Sequence, residues 1–383
     1  GDISIAGIDT SNIVWTLSPN GRTLTGAVGD EDVLKLTLEG ASSVAVDGTG
    51  NVTVKAELLG NLLHQDDPNA GSLVVSGITV VGADDDGDSL TADVSVTVTD
   101  DVPEVSIAAT PNTVVEGESL TTGSWSLNAG ADGATVAVIV GGESYALGTP
   151  IDTGKGILTV AVGGTWSFVA ADDLDNSDTQ QVSFTLKATD GDMDVDTATQ
   201  TITITDGDGP SWGGEVDSVN LTVDEAALSV LGDDTGSNPG SDAETDGSSL
   251  QFKAGSDAID SIVFGDTSGI SIDGIDTSNV VWTLSDGGRT LTGAVVVGNV
   301  SEDVLRLSLG GASTVAVGDA GTVTVTAELL GNLLHQDDPN AGSLVVSGIT
   351  VVGADDDGDS LTANVSVTVT DDAPDISIAA TPN

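Results

Sequence analysis

Along the whole chain, apolar and polar residues alternate in short runs. Val94-Ser95-Val96-Thr97-Val98-Thr99 alternates strictly, as do Val365 to Thr370 and Thr199 to Thr205. A period of two places one set of side chains on a core face and the other towards water, which predicts half-buried strands. Ile13 to Leu17, Val33 to Leu38, Asn51 to Ala56, Ala134 to Val140, Ile157 to Val162 and Val182 to Ala188 are further candidates. Gly, Asp, Asn and Pro separate these runs at intervals of about 8–12 residues, the spacing of strands in a sandwich. In one stretch, Glu57 to His64, the alternation lapses into Leu-Leu-Gly-Asn-Leu-Leu, which strand and helix both accommodate. It is the one place where a helical turn is expected.

Internal repetition sets the organisation. Ala56 to Ala92 recurs unchanged as Ala327 to Ala363, and Ile8-Asp9-Thr10-Ser11-Asn12 returns as Ile275 to Asn279. The second copy carries a small insertion around Val296 to Val300, where a loop is expected, and Pro103 to Asn112 returns as Pro374 to Asn383. The period is about 270 residues, longer than one solenoid unit, and reads as two alternating module types. The expected modules are 1–101 (type A, matching its C-terminal two-thirds), 102–210 (type B), 211–372 (type A) and 373–383 (the opening of another type B). Type B has the length of one immunoglobulin-like domain. The fold class expected is therefore all-β, as tandem immunoglobulin-like β-sandwich modules. Whether type A is one module or two stays open.

Composition adds constraints. Aromatics are only 3% of the 383 residues, so the cores are built from Val, Ile, Leu and Ala. The 61 acidic residues outnumber the 8 basic ones, for a formal charge of -53. Such a polyanion lacks the Lys and Arg that nucleic-acid binding needs, and an anionic membrane surface repels it. Positive mean hydropathy and regular alternation argue for folding rather than disorder. The folded state then has to tolerate its own carboxylates, for which divalent cations are the expected remedy. Cysteine is absent, so disulfides do not staple the chain, and calcium held by carboxylates is a substitute that ties loops together. No apolar run reaches the roughly 18 residues of a membrane-spanning helix, and Gly1-Asp2-Ile3-Ser4-Ile5 has no signal-peptide character. The expectation is an internal fragment of something longer.

The acids gather at turns. Asp84, Asp86 and Asp88 lie in Asp-Asp-Asp-Gly-Asp, which returns as Asp355, Asp357 and Asp359. Asp190 and Asp192, with Asp194 and Asp196, form a similar cluster. Alternate residues of such a loop turn several carboxylates to one point, which suits a hard cation taking six to eight oxygens; the spacing is not that of an EF-hand. A second set follows the last strand of each module: Asp100 and Asp101, Asp206 and Asp208, Asp371 and Asp372, each with a Pro close behind. Glu116 and Glu118, and Asp224 with Glu225, come soon after the first two of these junctions. A cation shared between neighbouring modules would fix their angle, and without it the clusters repel. The competing reading is that surface acids simply keep a low-aromatic β-protein soluble.

Catalytic chemistry finds little to stand on. His64 and His335 are one position in two copies, no activated-serine motif accompanies them, and zinc would need more His or Cys. The expectation is that the chain is not an enzyme. Trp15, Trp282, Trp125 and Trp166 read as core residues, Trp212 as a residue that can pack at the junction, and the threonines from Thr199 to Thr205 as a solvated strand face.

With these residues in place, the chain resembles the repeat, or extender, regions of large RTX adhesins that Gram-negative bacteria export by type I secretion. The resemblance rests on Val223-Asp224-Glu225-Ala226-Ala227-Leu228, Gly236-Ser237-Asn238-Pro239, the Asp-Asp-Asp-Gly-Asp loop and the terminal Thr-Asp-Asp-Ala-Pro of type A. Type B is similar to the immunoglobulin-like extender domains of the same proteins. The resemblance implies a calcium-stiffened spacer in a biofilm-forming adhesin, outside the cell, anchored at the outer membrane through other regions. It also implies passage through the secretion channel unfolded and a ligand-binding tip elsewhere in the protein. The partners implied are the neighbouring modules of the same chain. The alternative function is a module that itself binds a glycan or surface ligand.

Overall fold

The computed structural model describes residues 2–6, 12–62, 71–108, 112–117, 119–229, 235–273, 279–297, 300–333 and 342–372. The chain is all-β and separates into two compact units. One comprises Gly1–Asn112, Leu120–Phe168 and Val182–Ile202; the other comprises Thr113–Ser119, Val169–Gln181 and Thr203–Asn383. None of the described helices is long and apolar enough to cross a membrane.

In the first unit, residues up to Thr99 build an N-terminal sandwich. One sheet runs in the order Ser4–Ala6, Ser72–Ala83, Ser89–Thr99; the other runs Ile13–Leu17, Thr23–Val28, Glu31–Gly40, Val52–Leu58. Ile5, Leu73, Val75 and Val98 from the first sheet meet Ile13, Val33, Leu34 and Leu36 from the second in one core. The strands that follow form two more sheets, one containing Thr165–Ala170 and the other Gln180–Asp190. Trp166 and Phe184 tie them together edge to face, with ring centroids 5.4 Å apart.

The second unit contains the C-terminal sandwich. Its six-stranded sheet has the order Ser211–Trp212, Thr245–Lys253, Ala320–Leu329, Val300–Gly311, Thr290–Val297, Val280–Ser285. The facing sheet has the order Ser218–Asp224, Ser360–Thr370, Ser343–Ala354, Ser261–Phe264, with Ser271–Ile272 also on Ser343–Ala354. A single core runs from Val219 to Val369, so the segment whose unity the sequence left open packs as one body. Ser218–Asp224 pairs in parallel with Ser360–Thr370, and Thr113–Val115 pairs in parallel with Thr203, Ile204 and Thr205.

The few aromatics have specific packing partners. Trp15 lies over Gly26 and Trp282 over Gly293, each pair directly opposite on neighbouring strands. A Cβ on either glycine would fall within 3 Å of the indole, so the small residue and the large one are chosen together. Trp212 packs against Phe252 at 5.2 Å inside the sandwich. Arg22 and Arg289 are likewise structural: Arg22 donates to the carbonyls of Leu38, Gly40 and Ala41, and Arg289 to those of Ile262, Leu309 and Ala312.

Two local expectations change. Glu57 and Leu58 continue the strand Val52–Leu58, and Glu328 and Leu329 do the same in the copy, because cross-strand pairing to Lys35 and Leu34 holds them extended. The rest of that stretch, with His64 and His335, lies largely outside the described residues. Around the insertion at Val296 to Val300 the ladder gains rungs, with Val296 opposite Ser301 and Val297 opposite Val300, while Gly298 and Asn299 lie outside the described residues.

Candidate metal sites

Three hairpins carry the alternating acids, and they share one construction. The backbone N–H of the first acid donates to the carbonyl four residues on: Asp84 to Asp88 at 3.0 Å, Asp190 to Asp194 at 3.2 Å, Asp355 to Asp359 at 3.1 Å. The first carboxylate then accepts from the far side of the turn, from Gly87 and Asp88, from Asp194, and from Gly358 respectively. This Asx closure turns acids one, three and five towards one side. Oxygens of Asp84, Asp86 and Asp88 accordingly lie within 4.8 Å of one another, as do those of Asp190, Asp192 and Asp194.

The fourth residue of each turn is left-handed: Gly87 at φ 102°, Gly358 at φ 111° and Met193 at φ 84°. Met193 is exposed and carries a Cβ into a conformation that costs about 1–2 kcal/mol for an L-residue. Met193→Gly should therefore stabilise the chain by about 0.5–1 kcal/mol, net of glycine's greater entropy unfolded. Denaturant unfolding of the two proteins measures this; an unchanged or lower midpoint would count against the strain.

The Asp190–Asp194 hairpin is part of a larger cluster within the first unit. Asp100, following Ser89–Thr99, and Asp132, in the turn before Ala134–Val140, each bring a carboxylate oxygen within 4.8 Å of Asp192. Asp190 and Asp192 are buried, and Asp190 Oδ2 and Asp132 Oδ1 meet no hydrogen-bond partner. Burial, followed by Asp192, Asp100 and Asp190, pushes the Asp132 carboxyl up to about 6. Asp194 is also pushed up to about 6, by burial and then by Asp100. Asp190 is raised by burial and by Asp192.

A second cluster lies within the second unit. Glu116 donates its backbone N–H to Thr205 at 3.0 Å, which sets its side chain beside Asp206. Asp257, in the turn between Thr245–Lys253 and Ser261–Phe264, completes a group whose oxygens lie within 4.8 Å. Glu116 is 2% exposed and Asp257 1%. Asn176 donates to Glu116 Oε2 at 3.2 Å and Ser256 to Asp257 Oδ2 at 3.1 Å, while Glu116 Oε1 and Asp257 Oδ1 have no partner. Burial and the neighbouring Glu116 push the Asp257 carboxyl up to about 8. Asp206 is raised by burial and then by Asp357, whose own carboxyl is raised by burial and by Asp355. Both Asp357 oxygens and Asp355 Oδ2 are buried without partners.

Like charges this close, with oxygens that neither water nor a donor reaches, are costly unless protonated or matched by a cation. The donors are all oxygen, several are anionic, and more than one loop supplies them. That set fits calcium, which takes six to eight oxygens, and not zinc, which favours sulfur and nitrogen. Ion pairs are found elsewhere, on exposed strand faces, between Lys35 and Glu57 and between Arg306 and Glu328.

The remaining acids singled out from the sequence are placed differently. Asp84, Asp86 and Asp88 are exposed, and Asp84 is held low by its hydrogen bond with Asp86. Asp101 accepts from the Ala131 N–H at 2.9 Å, and Asp208 offers its backbone carbonyl to Ser256. Asp224 caps the short turn Glu225–Ala227 by accepting from Ala226, and buried Glu225 accepts from Leu333 at 2.8 Å. Asp372 accepts from the N–H and hydroxyl of Ser237, and the Asp371 N–H donates to the Gly342 carbonyl. Asp359 lies against Gly209, where a Cβ would come within 2.4 Å of its carboxylate. Glu118 lies outside the described residues. Asp132 and Asp257 enter the clusters without having been singled out, since each is a lone acid in a Gly- and Ser-flanked turn.

No protein-family model matches the chain, and no curated protein matches it. Among solved structures it is similar to extracellular cadherin domains 3–6 of protocadherin gamma B2, at 14% identity over 94% of this chain and 72% of that one, with a TM-score of 0.28. It is also similar to the N-terminal Ig1-2 module of the Drosophila receptor protein tyrosine phosphatase DLAR, at 12% identity over 70% and 100% of the two chains, with a TM-score of 0.20. Mouse protocadherin-24 EC1-3 is a further likeness, at 13% identity over 88% and 89%, with a TM-score of 0.25.

Proposed function

We propose that this chain is a spacer segment of an extracellular adhesin of the RTX type, exported by type I secretion and held at the outer membrane through other regions. In this reading its β-sandwiches project a distal ligand-binding region for adhesion and biofilm formation, and calcium at the carboxylate clusters stiffens them. Its partners are the neighbouring modules of the same chain. The role is structural: near-identical repetition adds reach to a spacer and adds little to a catalytic site.

The observation that carries the reading is the pair of buried, partnerless carboxylate oxygens on Glu116 and Asp257. A carboxylate retained merely for solubility belongs in water, where its charge is hydrated at no cost. Folding in low calcium is disfavoured by the same repulsion that calcium removes, which suits a chain exported unfolded and folded outside.

Calorimetric titration with calcium, followed by small-angle scattering in calcium and in chelator, tests the proposal. Saturable binding with an increase in maximum dimension and a loss of flexibility is the expected result. If calcium does not bind, or binds without altering the scattering curve, the chain is not a calcium-stiffened spacer.

A further inference from the structure

The insertion that sets the second type A copy apart from the first reshapes the outer face of its six-stranded sheet. In the first copy the ladder between Thr23–Val28 and Glu31–Gly40 ends at Val28 opposite Glu31. In the second, the equivalent rung is Val295 opposite Glu302, and the rungs Val296–Ser301 and Val297–Val300 follow it. A bulge lies just before: Gly293 is opposite Leu305 and Ala294 opposite Asp303, which leaves Val304 as the extra residue. A bulge bends its strand, sharpens the twist and re-aims the side chains beside it.

Val280, Trp282 and Leu291 pack on the core, so the residues alternating with them face outward. On that outer face a groove of about 330 Å³ opens, floored by Val281, Ala294 and Val296. The hydroxyls of Thr283, Ser285, Thr292 and Ser301 and the Asp303 carboxylate surround the floor. On neighbouring sheet faces such hydroxyls bond across the ladder, as Ser183 does with Thr201 at 2.8 Å and Ser249 with Thr324 at 3.1 Å. Thr283 and Thr292 are directly opposite as well, yet among the described residues no hydrogen bond engages either hydroxyl, that of Ser285 or Ser301, or the Asp303 carboxylate. In the first copy the counterpart of Ser285 is already used: Ser18 donates to Asn20 and accepts from the Thr23 N–H. Nothing there corresponds to Val296 and Ser301.

We infer that this groove of the C-terminal sandwich binds a neutral saccharide. A pyranose ring offers a C–H face to the small apolar floor and hydroxyls to the rim. Each rim hydroxyl both donates and accepts, and the Asp303 carboxylate accepts from sugar hydroxyls. A few convergent polar groups around an apolar surface are the make-up of a small-molecule site, and the volume lies at the lower end of the roughly 300–1,000 Å³ such sites occupy. Charge narrows the class. Neither Lys nor Arg lines the groove, Glu302 adjoins Asp303, and the chain carries a formal -53, so acidic sugars are repelled. The inference goes beyond the spacer role and does not depend on the cation clusters.

The experiment titrates the full chain with neutral tetrasaccharides of glucose, galactose or mannose, and with a tetrasaccharide of galacturonic acid, followed by ligand-observed NMR. Saturable binding of at least one neutral probe and none of the acidic one is expected. Thr283→Val combined with Thr292→Val keeps strand-forming side chains of the same shape and should weaken that binding at least about tenfold. Asp303→Asn, a single exposed change, should also weaken it about tenfold and keeps the test decisive if the paired substitution disturbs the sheet. Thr16→Val with Thr25→Val, the equivalent pair in the N-terminal sandwich, should leave the affinity unchanged. The inference is overturned if no neutral probe binds, or if the galacturonic acid probe binds as well as the neutral ones. An affinity that either folded groove variant leaves unchanged would overturn it too, as would a loss on changing Thr16 and Thr25.

Discussion

In chelator at pH 8 the chain should melt about 10–20 °C below its melting temperature in millimolar calcium. Two sites each saturated at a hundredfold over their dissociation constants contribute about 2.7 kcal/mol apiece, and each kcal/mol moves a domain of this size by about 2–4 °C. The pH dependence should also reverse between the two conditions. A carboxyl whose pKa is higher folded than unfolded takes up a proton on folding. Its contribution is complete below the ordinary carboxylate range and is lost as the pH climbs through the folded value. For Asp132 and Asp194 that loss ends near 6, and for Asp257 near 8. In chelator, therefore, stability should rise as the pH falls from 8 towards 5. In calcium the cation replaces the proton, acid displaces it, and stability should fall over the same range. Thermal melts at pH 5, 6.5 and 8 in both conditions measure the crossing. Parallel pH profiles, or equal melting temperatures at pH 8, would show that the clusters do not hold calcium.

Asp257→Asn should act in opposite directions with and without calcium. The amide keeps the size of the side chain and removes a buried charge facing Glu116. Without calcium the substitution should stabilise the chain by about 2 kcal/mol, since a repulsion inside a poorly solvated site disappears. With calcium it removes an anionic ligand, and affinity at that cluster should drop by about 10–100-fold. Asp30→Asn, on an exposed turn far from either cluster in sequence, serves as the control and should do neither. Stabilisation in both conditions would mean that Asp257 opposes folding and binds nothing.

The strands were legible because the sheets have one wet face and one dry one. Ala134–Val140 spans the residues its alternation predicts, and Ile13–Leu17 does the same. The ends were less legible, because pairing carries a strand past its apolar residues, as in Gln180–Asp190 and in Glu57–Leu58. The clustered acids of the hairpins were visible as local spacing. Asp132 and Asp257 were not, because their partners come from loops distant in sequence and a lone Asp beside Gly looks like any turn. Asp101, Asp224 and Asp372 show the converse: acids that look like ligands in sequence spend their oxygens on backbone N–H groups nearby.

The parallel pairing of Ser218–Asp224 with Ser360–Thr370 bears on how the C-terminal sandwich meets a pulling force. These are its early and final long strands, joined rung by rung from Ser218 opposite Asn364 to Asp224 opposite Thr370. Traction applied through the two ends drags the strands past each other along their length, so the slanted, evenly spaced bonds of a parallel ladder share the load and fail together. A hairpin pulled open at its tips would lose them one at a time. The topology thus builds a shear clamp into a segment that, in the proposed role, would be under tension whenever its cell is held against flow.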